Sequence, residues 1–122
     1  MSSISIQVKT NYIKEQSKPD AERFVFSYTV TLSNQGENAA KLLSRHWIIT
    51  DAVDAIQEVQ GIGVVGEQPR LEPGEEYTYT SGVVLETETG TMKGSYQMQC
   101  DSGEQFDAEI PTFALVPPHA VH

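Results

Sequence analysis

The sequence contains very little cysteine and no long apolar run. Its 122 residues include a single cysteine, Cys100, which excludes an intrachain disulfide and a cysteine-based zinc site. A chain of this length buries about two-thirds of its unfolded surface, so one domain needs no such cross-link. No stretch approaches the ~20 apolar residues that span a bilayer, and the N-terminus does not resemble a secretion signal. We therefore expect one domain over residues 1–122 in the reducing cytoplasm.

Basic residues are also scarce. Eight Lys and Arg stand against 17 Asp and Glu, which gives a net charge of −9. Residues 67–122 carry 10 acids against 2 basic residues, whereas residues 1–66 carry 7 against 6. Such a surface repels phosphate backbones and anionic lipid, so we expect neither a nucleic-acid nor a membrane partner. Acidity also keeps a small β-sheet protein soluble, so it does not by itself indicate a binding site.

Helical periodicity is absent, and strict alternation of apolar and polar residues takes its place. The longest stripe comprises Phe24, Phe26, Tyr28, Val30 and Leu32. A period of two indicates strands with one face on a core. A shorter stripe runs from Ile4 to Tyr12, and a weaker strand is predicted over residues 53–60.

The segment Leu42 to Thr50 is apolar on both parities, which is typical of a central strand. Simple alternation places Leu43 on the same face as Trp47 and Ile49. A tryptophan on the third strand fills the centre of immunoglobulin-like sandwiches. Its indole N–H is expected to need a partner.

The second half of the chain alternates in three further segments, over residues 77–85, 92–98 and 106–115. Gly82 predicts a bulge in the first, and Pro111 predicts a bulge or break in the last. Residues 116–122 are predicted to form an extended tail. The whole pattern predicts an all-β fold, an immunoglobulin/fibronectin type III-like β-sandwich of seven or eight antiparallel strands in two sheets.

Gly61, Gly63 and Gly66 match the G-x-G-x-x-G spacing of dinucleotide-binding loops. That chemistry needs a helix after the loop, and Pro69 and Pro73 prevent one from forming. Two interpretations remain. The loop amides could form a nest that binds a small anion or a nucleotide pyrophosphate, with Arg70 adding charge. Alternatively, the glycines supply positive φ angles or close packing in a tight loop.

No spacing of ligands specifies a metal site, and no nucleophile, base and oxyanion set is evident, so we predict no catalytic residue and no cofactor. His46 is expected to face away from Trp47, and His119 and His122 fall in the tail. Tyr77 and Tyr79 are candidate interface residues, because exposed tyrosine is enriched at the centres of protein interfaces.

Several segments together resemble one known family. They are Arg23 to Val30, Leu42 to Thr50, Glu58 to Pro69, Leu71 to Gly82, Gly90 to Met98 and Ile110 to His122. In order and content these segments closely resemble the ApaG family over about the whole chain. Residues 51–54 depart from the turn, bearing Gly or Asn, that is expected in the family.

The resemblance implies a fibronectin type III-like sandwich in a small cytoplasmic bacterial protein without an established enzymatic activity. ApaG-like domains also occur inside larger eukaryotic proteins, where they resemble protein-interaction modules. The family is associated with tolerance of cobalt and magnesium. We therefore expect a non-catalytic module that binds a protein partner or itself through a strand edge or the glycine loop.

Overall fold

The computed structural model describes residues 3–120, which form eight β-strands and no α-helix. The strands are β1 (Ile4–Tyr12), β2 (Phe24–Asn34), β3 (Ala40–Asp51), β4 (Ile56–Ile62), β5 (Arg70–Leu71), β6 (Glu76–Leu85), β7 (Gly90–Cys100) and β8 (Gln105–Leu115). Short 3-10 helices occur at Lys14–Gln16, Pro19–Ala21 and Pro118–Ala120. Over this part of the chain nothing helical is long and apolar enough to cross a membrane.

The strands pair into two antiparallel sheets. One sheet has the order β1-β2-β6, and the other has the order β4-β3-β7-β8 with β5 also beside β3. The predicted sandwich of seven or eight strands in two sheets is confirmed. Contacts between β1 and β8 close one side of the sandwich. On the opposite side, β4 and β6 are the free edges of their sheets.

The inward faces of both sheets form one core around Trp47, whose side chain is only 2% exposed. Its ring lies 5.3 Å from that of Tyr28, 5.9 Å from Phe113 and 6.2 Å from Tyr96, all with edge-on geometry. Of the stripe predicted from Phe24 to Leu32, the residues from Phe26 onward are buried here, and Phe24 packs against the core while partly exposed. Burial of each large apolar side chain contributes about 1.5–3 kcal/mol, so this core is the main source of stability.

A bulge in β3 corrects the predicted faces of that strand. The register of β3 against β7 shifts between Leu42 and Ser44. The extra residue moves each side chain that precedes it in β3 to the face opposite the one that simple alternation predicts. Leu42, not Leu43, therefore joins Trp47 and Ile49 in the core.

The two other predicted irregularities have opposite outcomes. Gly82 pairs with Ser27 in an uninterrupted register between β2 and β6, so the predicted bulge at Gly82 is wrong. A glycine can occupy a regular ladder position, because its backbone N–H and C=O pair like those of any other residue. By contrast, β8 has an extra residue between Ile110 and Phe113, where Pro111 interrupts the ladder with β7. The predicted irregularity at Pro111 is confirmed.

The predicted extended tail is also corrected. Pro117 is fully buried, and Pro118–Ala120 forms a 3-10 turn instead of extended chain. Consecutive prolines preset φ near a value that such a turn accepts. His119 then reaches Glu88, with 3.0 Å between Nε2 and Oε2, and stacks edge-on against Tyr12. Residues 121 and 122, including the predicted tail histidine His122, lie outside the described residues.

Candidate functional site

A groove follows the open side of the sandwich between β4 and β6. It consists of one cavity of 420 Å³ and another of 320 Å³. Ile49, Gln57 and Val84 line both, so the two cavities adjoin. The lining of the larger one includes the buried Trp47 and the half-buried Arg45. Both sheets contribute residues to the lining of this groove.

Exposed apolar side chains flank the groove. Among residues 3–120, the large apolar side chains with high exposure are Val53, Ile56, Ile62, Val65 and Val84. They lie on β4, on β6 or in the loops on either side of β4. Ile62, at the end of β4, is 79% exposed, more than any other of the five. All five therefore lie on or next to the two free edges of the sheets, and apolar side chains concentrated on one side of a protein are typical of a surface that contacts another molecule.

Each of the three glycines in the predicted loop suits its position for a different structural reason. Gly61 lies within β4 opposite Arg45, and a Cβ there would meet the Arg45 guanidinium at 2.8–2.9 Å. Gly63 has φ +66°, and a Cβ there would meet the Glu67 carbonyl oxygen at 2.3 Å. Gly66 has φ +82°, a conformation that glycine adopts without strain. Close approach and positive φ therefore explain the three glycines. This agrees with the second interpretation of the loop, in which the glycines serve its conformation and packing.

The amides of this loop are largely engaged within the chain. The Gly63 N–H donates to the Leu43 carbonyl at 2.9 Å. Val64 and Glu67 exchange backbone hydrogen bonds of 2.8 and 2.9 Å, which closes a tight turn. Donors that are consumed in this way are less available to an anion. No helix follows the loop before β5, so the geometry of a dinucleotide fold does not arise.

Arg45 is the cation that contacts the glycine loop. Its Nη1 donates to the Gly63 carbonyl at 2.7 Å and to the Ile62 carbonyl at 3.3 Å. Its guanidinium lies across the face of Gly61, where no side chain obstructs it. Within residues 3–120, no carboxylate lies within ion-pair distance of Arg45. The loop thus fixes a half-buried positive charge at the mouth of the groove.

Arg70, the predicted cation of the loop, has a different role. It lies on β5 opposite Lys41, and Nε donates to Asp101 Oδ1 at 3.0 Å while Nη2 donates to Oδ2. Nη1 also contacts Glu72. Hydrogen bonds to Asp101 hold the pKa of Arg70 above its ordinary value, and the same bonds lower the pKa of Asp101. Anion binding at the loop stays a prediction, with Arg45 in place of Arg70 as the neighbouring guanidinium.

The predicted interface tyrosines are also reassigned. Tyr79 is only 7% exposed, and its hydroxyl is hydrogen-bonded to that of Tyr96 across the core at 2.5 Å. Burial raises the pKa of both tyrosines. Alternation places Tyr79 on the inward face of β6, so it cannot serve as an exposed anchor. Tyr77 is half-buried against the core, and its ring contacts that of Tyr79.

The remaining titratable groups are dispersed. His46 lies on the outer face of its sheet and pairs with Glu58, with 2.7 Å between Nε2 and Oε2. Cys100 is a free thiol at the end of β7. In the part of the chain that the structure describes, no three His, Cys, Asp or Glu side chains are grouped to hold a metal ion.

Sequence reasoning did not single out Arg45 or Asn34 as important. Asn34 is 1% exposed, and its amide donates to the carbonyls of Asn38 and Leu71 at 2.9 Å each. Its oxygen accepts the Gly36 N–H, so the last residue of β2 both holds the turn that follows and, through Leu71, connects β2 to β5. The alternation of β3 was the available signal for Arg45, because it places a charged residue on the face of Trp47.

Known proteins resemble this chain along nearly its whole length. The sequence model of the ApaG domain family matches residues 14–100. The ApaG protein of Thiobacillus denitrificans is 58% identical over 119 residues, which cover 98% of this chain and 94% of that protein. The ApaG protein of Pseudomonas aeruginosa is 57% identical over the same shares of each chain.

A solved structure agrees in fold. The crystal structure of an ApaA protein from Bordetella pertussis superposes with a TM-score of 0.92 at 46% identity, covering 94% of each chain. Both sequence and fold therefore match over nearly all of the molecule. The chain belongs to the ApaG family.

Proposed function

We propose that this protein is a non-catalytic binding module that receives an extended segment of a partner protein along the free edge of β4. The observation that carries the proposal is the concentration of exposed apolar side chains on and beside this edge, with Ile56 68% and Ile62 79% exposed. Natural edge strands are usually protected by lysine, proline or a bulge. β4 has no lysine or proline, and it pairs with β3 without a register shift.

An added strand is the occupant that suits this surface. Apart from the Ile62 carbonyl, which Arg45 contacts, the unpaired edge of β4 offers backbone donors and acceptors to a new strand. The groove beside it accepts side chains from one face of that strand. Ile56 and Ile62 lie on the outer face of β4, where they would contact the side chains on the other face of the added strand. Val84 lies across the groove on β6. Within this proposal, the family's association with cobalt and magnesium tolerance is indirect and depends on the partner.

The test compares two double variants that each add two lysines. Ile56→Lys with Ile62→Lys places charge on β4, whereas Gln105→Lys with Thr112→Lys places the same charge on exposed positions of β8. Chemical crosslinking followed by affinity capture identifies the partner, and hydrogen exchange on the purified complex locates the contact. We expect the β4 variant to reduce capture of that partner at least about tenfold, while the β8 variant captures it normally.

Two results are decisive for this proposal. Unchanged capture by the β4 variant, or protection of amides away from β4, contradicts it. Sedimentation of the chain alone addresses self-association. A dimer that the β4 variant abolishes identifies a second copy of this chain as the partner.

A further inference from the structure

The charge at the mouth of the groove has no counterion within the described residues. Arg45 contacts two carbonyl oxygens through Nη1, and neither Nε nor Nη2 has an acceptor in residues 3–120. These two nitrogens form one edge of the planar guanidinium. Such an edge matches the two oxygens of a carboxylate. The loop carbonyls hold Nη1 in place, so the orientation of the fork is already set before any ligand arrives.

The surroundings favour a ligand that accepts hydrogen bonds and carries negative charge. The 420 Å³ cavity that contains Arg45 is lined by Ser81 and Gln57 but by no Asp or Glu. This composition is notable in a chain with net charge −9. A ligand carboxylate would add charge-assisted hydrogen bonds to the guanidinium edge that has no acceptor in residues 3–120.

Gly61 determines from which direction the guanidinium can be reached. On the inward face of the sheet, Gly61 lies between Arg45 and the free edge of β4. Because Gly61 has no side chain, the guanidinium covers it and extends toward the edge. A strand added beside β4 would lie about 4.8 Å away and would place one side chain directly opposite Gly61. That side chain is the one that meets Arg45.

We propose that Arg45 binds the carboxylate of an Asp or Glu side chain in the partner's extended segment, at the position opposite Gly61. This inference rests on the proposed function and adds the partner's chemistry to it. A carboxylate is favoured over a phosphate because a single guanidinium balances one negative charge. A phosphate dianion would need a second cation, and the cavity lining provides none.

The experiment selects binders from a library of random linear peptides on the immobilised full chain. We expect the selected peptides to share alternating apolar residues around one fixed acidic position. Replacing that acid by its amide should weaken binding about fivefold. Since the protein as a whole is acidic, long-range attraction cannot produce this selection.

Matched variants assign the effect to Arg45. Arg45→Gln should abolish the difference between the acid and amide peptides. Arg70→Gln removes the same charge at an already paired site and should preserve it. Gly61→Val retains the cation but displaces the guanidinium, so it should also remove the acid preference. Circular dichroism confirms that each variant is folded.

A small probe separates the two levels of the proposal. Sodium acetate, compared with sodium chloride at equal ionic strength, should shift the Arg45 Nε–H signal in NMR spectra. If the selected peptides have no fixed acidic position, the proposed role of Arg45 is wrong. The proposed function of binding an extended segment along β4 is then still supported. If no peptide is selected, the edge-binding function itself is contradicted. An acetate shift without any selected peptide overturns the partner segment as the source of the carboxylate.

Discussion

At the scale of single residues, the hydroxyl groups of Tyr79 and Tyr96 form a buried polar link between the two sheets. Tyr79 belongs to β6 and Tyr96 to β7, and both side chains are buried in the core. A buried hydroxyl without a partner costs about 1–3 kcal/mol. The pair is therefore favourable only while both hydroxyls are present.

We predict that Tyr79→Phe and Tyr96→Phe each lower the free energy of unfolding by about 1–3 kcal/mol, because each leaves one hydroxyl unpaired. The double variant should be less destabilised than the sum of the two, since it removes both polar groups. Urea denaturation measures all four proteins of this cycle. Strictly additive losses would show that the hydroxyls do not depend on each other.

Arg45 and Gly61 illustrate how one residue's role depends on another. The glycine has no positive φ, and its purpose is the space that the guanidinium occupies. A pattern search assigns this glycine to phosphate binding, whereas the structure assigns it to the placement of a cation. The difference arises because β3 and β4 are paired in the register that sets Arg45 opposite Gly61.

At the scale of elements, the two loops that flank β4 contain backbone conformations that are unusual for their residues. Asp54 has φ +65° in the turn before β4, and Val65 has φ +43° in the glycine loop after it. Asp51 Oδ1 accepts the N–H groups of Val53 and Ala55 and so organises the first turn. Left-handed φ suits Asp and Asn far better than a β-branched residue. The second loop therefore carries the greater strain.

We predict that Val65→Asn raises the free energy of unfolding by about 1 kcal/mol, because it relieves the left-handed strain at an exposed position. Asp54→Asn is the matched control and should change stability by less than about 0.5 kcal/mol. Both are measured by thermal and urea unfolding. A destabilised Val65→Asn would mean that packing of the valine outweighs its backbone strain. Under the proposed function, the same variant should weaken partner binding.

At the scale of the whole molecule, two sheets share one core, so events at the buried tyrosines affect the complete fold. Trp47 lies within this core and contacts Tyr28 and Tyr96. It is the only tryptophan in the chain, which makes its fluorescence a report on the whole sandwich. The net charge of −9 adds self-repulsion that grows as further groups ionise at alkaline pH.

We predict that stability falls steeply above pH 10, the ordinary pKa of tyrosine. Burial raises the pKa of Tyr79 and Tyr96 in the fold, so above pH 10 the unfolded chain releases protons that the folded chain retains. The free energy of unfolding then decreases by up to about 1.4 kcal/mol per pH unit for each tyrosine. Trp47 fluorescence during urea titrations from pH 8 to 11 measures the slope. The double phenylalanine variant should show a shallower decline, and an identical slope would contradict this origin.

Much of the fold could be predicted because its signals are local. The alternation from Phe24 to Leu32 requires a strand, and Pro111 cannot donate to a ladder, so both predictions were confirmed. The predictions for Leu43 and Gly82 were wrong because each depends on the register with a neighbouring strand, and pairing partners that are distant in sequence leave no local signal. Tyr79 differs, because the alternation of β6 already places it on the buried face.

The sequence by itself determined that this chain forms strands and no dinucleotide-binding helix, because alternation and the two prolines after the glycine loop act over a few residues. Only the tertiary structure decided which edges stay open and which cation meets the loop. Sheet order leaves one edge of β4 and one edge of β6 without a neighbour, and cross-strand register brings Arg45 onto Gly61 while Asp101 engages Arg70. Those contacts join residues that are far apart in the chain, so they contribute to stability only after the strands have paired.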